Sequence, residues 1–164
     1  MKRTFKLTFI VGLLAMLLAI PGTAFGQAEF TEYTGTETRD GPFTLLSTHG
    51  TEVVQMHFTS EWYDTTSDIR TTGKTMVTGH LTLTDPATGT GVMHGTSVTY
   101  VSGQGYEGTW EGTWQGKLIY GVGYFKAVAH GTGDLEGLKM KATFTGIDGD
   151  NVNIEGRILD PHGT

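Results

Sequence analysis

The 164-residue chain has no cysteine and only four prolines. Without thiols there can be no disulfide framework and no thiolate metal site, so stability has to come from burial alone. Charged residues are scarce at 17%, yet aromatic residues reach 10%, which argues against a disordered polar chain. Good helix formers are also in short supply: 25 glycines and 29 threonines together fill 54 of 164 positions, and both residue types disfavour helices. A helical bundle is excluded. Cations number 11 against 17 carboxylates, for a net charge of −6. Apart from Lys2, Arg3 and Lys6 they occur singly along the sequence, with none of the basic stripe that a phosphate backbone or an anionic membrane surface requires. The chain therefore reads as one all-β domain with no nucleic-acid role.

The one long apolar run lies at the start. Lys2, Arg3 and Lys6 precede an apolar stretch at 7–20, broken only by Thr8 and Gly12 and followed by Pro21 and small residues. This is the layout of a secretory signal peptide. Fourteen residues at 1.5 Å reach only about 21 Å as a helix, short of the roughly 30 Å hydrocarbon core. Ala24-Phe25-Gly26 sets the cut before Gln27, with a cut after Ala28 as the alternative. The expected organisation is a signal peptide at 1–26 and a single β domain at 27–164, secreted or periplasmic, with no membrane anchor after cleavage. Loss of the three early cations takes the formal charge from −6 to −9.

From Glu29 onward, turn signals recur every 8 to 15 residues, and apolar positions between them repeat with a period of two. Val54, Met56 and Phe58 share one strand face; Val77, Leu81 and Leu83 share another. The spacing predicts strands at 29–38, 43–48, from Val54, at 75–84, 92–101, 106–114, 118–130 and 138–147, and a last one through Val152, Ile154, Gly156 and Ile158. No helix remains to cover a sheet, so the strands must cover one another. An eight-stranded antiparallel barrel is the expected fold, with a β-sandwich as the alternative.

Gly108-Thr109-Trp110-Glu111 is echoed by Gly112-Thr113-Trp114-Gln115. A period of four preserves strand parity, which puts Tyr106, Trp110 and Trp114 on one face. Reading 118–130 as one strand adds Tyr120 and Tyr124 to the same parity. These five rings either fill the barrel or line a cavity for a flat apolar molecule, since Trp and Tyr combine apolar area with one polar handle each.

Gly131-Thr132-Gly133-Asp134-Leu135-Glu136-Gly137-Leu138 resembles the G-T-G-x-[LF]-x-G-hydrophobic turn of the allene oxide cyclase-like barrels, a group that includes plant allene oxide cyclases, dirigent proteins and bacterial families of unassigned role. The likeness spans residues 128–158 and is nearest to the bacterial members. It implies an eight-stranded antiparallel barrel with an apolar cavity, which in plants shapes a reactive oxylipin or phenoxy-radical substrate without metal or organic cofactor, and it is compatible with a homo-oligomer. It carries over no catalytic residue.

Other chemistry finds less support. His49, His57, His80, His94, His130 and His162 form no H-x-H or H-x-x-x-H pair, so a metal site would have to be assembled from four different strands, and no metal ligand is assigned. Asp148, Asp150, Asn151 and Asn153 lack calcium-loop spacing and read as a hairpin turn. Glu107 and Glu111 sit about 13 Å apart along one strand, too far for a glycosidase pair. The expectation is an exported barrel that binds a small hydrophobic ligand without cofactor. The alternatives are a cofactor-independent cyclase or isomerase and an extracytoplasmic structural or interaction module. A filled barrel would favour the last, an apolar void would favour binding, and a void holding a buried, proton-retaining carboxyl opposite a tyrosine would favour chemistry.

Overall fold

A computed structural model describes residues 28–147, 149–161 and 163; the segment 1–26, expected to be a signal peptide, lies outside the described residues. Nine strands follow in order: β1 Glu29–Arg39, β2 Thr44–His49, β3 Val54–Thr66, β4 Gly73–Asp85, β5 Thr90–Gly103, β6 Tyr106–Ile119, β7 Val122–Gly131, β8 Lys139–Gly146 and β9 Asn151–Asp160. Every pairing is antiparallel. The ladder runs β1-β9-β8-β7-β6-β5-β4-β3 and closes through β1–β3, from Gly35 opposite Thr66 to Arg39 opposite Trp62. The fold is thus a closed eight-stranded barrel, and the sandwich alternative is excluded. β2 stands outside the ring, hydrogen-bonded to the first half of β3.

Alternation places one parity of each strand inward. Residues 56 to 64 of β3 (even), 75 to 81 of β4 (odd) and Val152, Ile154 and Ile158 of β9 follow the expected pattern. One expected strand is two. The segment 118–130 breaks at Tyr120-Gly121, with φ of 52° and 78°, a two-residue turn that joins β6 to β7. Leu118 then faces Gly123 and Gly116 faces Phe125, so the inward parity switches from even in β6 to odd in β7. That switch explains why both parities of 118–130 look apolar: they belong to opposite arms of a hairpin.

The barrel has a packed end and an open one. Tyr33, Val101, Trp110, Leu135, Ala142, Ile154 and Ile158 form the packed core. Leu135, 0% exposed, is carried into it by the short 3-10 turn Gly133–Leu135, with left-handed φ at Gly133 and Gly137 shaping that connection. A second 3-10 turn, Ile69–Thr71, lies at the same end, held by Asp68, which caps it and pairs with Arg70 at 2.6 Å. Trp110 is 1% exposed and donates its Nε1–H to Arg70 O at 2.6 Å, tying that turn to β6.

Candidate functional site

Above this core the barrel encloses a cavity of ≈ 230 Å³. A void of 150 Å³ holds benzene, so this one suits a molecule of one or two rings. Its wall is mostly apolar, and the rings of Phe58, Trp62, Trp110, Trp114, Phe125 and Phe144 are among the side chains that line it. Trp114 meets Phe125 edge-on at 5.7 Å and tilts against Phe58 at 6.4 Å. The room for its indole comes from Gly79 and Gly95 on the neighbouring strands, where a Cβ would stand 2.7 and 2.8 Å from Trp114 Cζ2. Arg39 occupies the mouth, 5.1 Å above the Trp62 ring and 5.9 Å from Phe43. Its Nη2 donates to Gly149 O at 2.6 Å. Its Nε lies 3.0 Å from Asp150 without hydrogen-bond geometry, a purely electrostatic contact.

Of the five rings expected on the wall, the structure brings two together there, Trp110 and Trp114. Tyr106 packs against the core at the closed end. Tyr120 and Tyr124 are corrections: Tyr120 occupies the β6–β7 turn at 77% exposure, and Tyr124, after the parity switch, faces outward at 43%. Glu107 and Glu111 lie exposed on the outer wall.

The polar part of the cavity is a carboxyl pair that sequence reasoning missed. Glu37 on β1 and Asp64 on β3 are direct register partners where the barrel closes, 9% and 7% exposed. Thr75 donates to Asp64 Oδ2 at 2.8 Å, and Thr99 in turn stands 2.7 Å from Thr75. Because the Thr75 hydroxyl is spent on Asp64, Thr99 must donate to it, which makes a short relay across β5, β4 and β3. Asp64 Oδ1 meets no hydroxyl or N–H donor. The Glu37 carboxyl can satisfy it only by keeping its proton.

The electrostatics agree with that geometry. Burial, followed by the charge of Asp64 and the hydrogen bond to it, pushes Glu37 well above the ordinary carboxylate range. Burial raises Asp64 to about 7, against the lowering pull of the bonds from Thr75 and Glu37. Two buried carboxyls side by side cannot both ionise cheaply, so they titrate as one unit. As Asp64 ionises, at about pH 7, its charge adds to the burial that holds the proton on Glu37. Tyr33, buried alongside, stays a neutral phenol because burial and then the charges of Asp64 and Asp68 oppose its ionisation.

The wall could therefore grip a flat apolar body, offer a proton to an acceptor oxygen through Glu37, and take one back through Asp64. Among the described residues, no group of three or more His, Cys, Asp or Glu side chains, as they stand, could hold a metal ion. No protein-family model matches the chain, and no curated protein matches it.

Proposed function

We propose that the barrel takes up one small, flat, mostly apolar molecule bearing a hydrogen-bond-accepting oxygen, and that Glu37 and Asp64 move a proton on it, as in a cofactor-independent isomerase or cyclase. The observation that carries this reading is the buried, proton-sharing carboxyl pair on the wall of an aromatic cavity, with the Tyr33 phenol beside it. Asp64 as carboxylate would abstract a proton next to a carbonyl while Glu37, still protonated, stabilises the developing oxyanion; such assistance contributes typically about 10²–10⁴-fold. A carrier without chemistry is the second reading, favoured by the predominance of apolar wall.

The test uses two probes sized to the cavity. 2-Naphthol should bind the chain lacking residues 1–26, quench its tryptophan fluorescence, and bind at least about tenfold more weakly to Trp114→Ala. Isomerisation of 3-cyclohexen-1-one to its conjugated enone, followed by absorbance, should quicken as pH rises through about 7, where Asp64 ionises, and should fall by about 10² in Asp64→Asn. No naphthol binding would remove the cavity reading. Binding with no Asp64-dependent turnover would leave the carrier.

The same reading places the mature protein outside the cytoplasm, in periplasm or medium. Its support is the basic start, apolar core and small-residue site of residues 1–26. Intact mass of the exported chain should correspond to a start at Gln27 or, for the alternative cut, Glu29; a full-length mass would refute it.

A further inference from the structure

The outer wall carries a feature that only the register reveals. His57 on β3, His80 on β4 and His94 on β5 are successive cross-strand partners. Their rings stand in file, His57 to His80 at 4.3 Å with 4° between planes and His80 to His94 at 5.4 Å with 20°. His49 on β2 is opposite Gln55, one same-face position from His57. Four of the six histidines of the chain therefore share one outward face built from four strands. All belong to the parity opposite the cavity. Their outward neighbours Gln55, Thr59, Thr78, Thr82, Val92 and Thr96 carry no charge, and the partner of His94 on β6 is the neutral Gln115, with Lys117 one same-face position further along.

We propose that this file is a binding site for a divalent transition metal ion of imidazole preference, Cu²⁺, Ni²⁺ or Zn²⁺, centred on His80 with His57 as its first partner and His94 as the third ligand. Adjacent strands are about 4.8 Å apart, and imidazole nitrogens at about 2.0–2.1 Å from a metal on a tetrahedral or square-planar ion stand about 3 Å from one another. Register partners on one face meet that requirement with side-chain rotation alone. The stacked rings lie in parallel planes, so the in-plane nitrogen lone pairs point past each other; the ion is enclosed when His57 and His94 turn about their side-chain bonds toward His80. His80 and His94 are solvent-exposed and His57 half-buried, which leaves that rotation free. Neutral imidazoles are the binding form, and the Irving–Williams order makes Cu²⁺ the tightest occupant.

The site can be tested on the mature chain without an affinity tag, stripped with EDTA. Calorimetric titration with CuCl₂, NiCl₂ and ZnCl₂ should show one ion per chain, with Cu²⁺ tightest and a d–d absorption characteristic of nitrogen ligands. The second imidazole acts as an intramolecular ligand, so His80→Gln should weaken binding on the order of 10²-fold. His57→Gln and His94→Gln should weaken it less. His130→Gln, on β7 away from the file, should leave it unchanged. Each substitution replaces one exposed or half-exposed polar side chain by another, and equal melting temperatures of the metal-free variants would show that the fold is retained. Absence of binding to the parent chain, or affinity in His80→Gln equal to that of the parent, would overturn the proposal.

Discussion

Trp110→Ala is expected to lower the unfolding free energy by about 3–5 kcal/mol, the range for emptying a packed aromatic site. The indole is 1% exposed at the centre of the closed-end core, beside Tyr33, Leu135 and Ile158. Its Nε1–H also holds Arg70 O at 2.6 Å, so the 3-10 turn Ile69–Thr71 loses its tie to β6 when the ring is removed. For a domain of this size that cost amounts to a fall in melting temperature on the order of 10 °C or more. Trp110→Phe separates the two contributions, since it keeps most of the apolar area and leaves the carbonyl without that donor. Its cost should be about 1–3 kcal/mol. Urea unfolding of the three proteins measures both differences. A loss under about 1 kcal/mol for the alanine variant would mean that the closed end is not where the barrel derives its stability.

Raising the pH from about 5 to about 8 is expected to destabilise the fold, which is opposite to the behaviour of a protein whose carboxylates are salt-bridged. In the unfolded chain Glu37 and Asp64 titrate near about 4. In the barrel Asp64 holds its proton to about 7, and Glu37 is likewise held well above its ordinary range, burial being the main cause for both. Between those limits the folded state binds more protons than the unfolded one. The pair's contribution is therefore complete below about pH 4 and is lost as pH climbs through 7, by up to about 1.4 kcal/mol per pH unit for each extra proton. Asp68 works the other way: its bond with Arg70 holds it below the usual range, so its contribution is present above about pH 4 and fades in stronger acid. The two trends place the stability maximum near pH 4–5. Asp64→Asn removes one of the titrating groups while keeping a polar partner for Glu37 and Thr75. Its melting temperature should vary less with pH and exceed that of the parent above pH ~7. A parent stability that rises from pH 5 to 8, or an unchanged slope in the variant, would contradict the buried pair.

The sequence made some of this readable and concealed the rest for identifiable reasons. Trp110 and Trp114 share a face because four residues separate them, and that inference needs nothing beyond strand geometry. Leu135 lies in the core, carried there by the glycine-flanked turn on which the family resemblance rests. Tyr120 and Tyr124 were misassigned because a two-residue turn sits inside an unbroken run of strand-forming residues, and its first position is a tyrosine in a left-handed conformation in place of the asparagine or aspartate that would have marked it. The only mark was Gly121. Glu37 and Asp64 were hidden more deeply. In β1 the rings Phe30 and Tyr33 fall on opposite parities, so no inward face stands out, and in β3 the apolar alternation Val54, Met56, Phe58 is interrupted by Ser60 before Trp62 and Asp64. Extending that even parity by three positions would have put a carboxylate on an apolar face, the signal that was available. Its partnership with Glu37, like the histidine file, arises from ring closure and register, which local periodicity does not encode.

The pairing of β1 with β9 has a kinetic corollary. Residues near the two ends of the described chain, from Glu29 opposite Asp160 to Thr38 opposite Asn151, form one continuous ladder. Hairpins such as β6–β7 can zip locally, but this seam joins the first and last strands of the described chain. A high contact order of this kind slows the search for the native state. Until that last strand docks, the aromatic lining is open to solvent along one side, and the unfinished sheet has two bare edges on which chains can stick together.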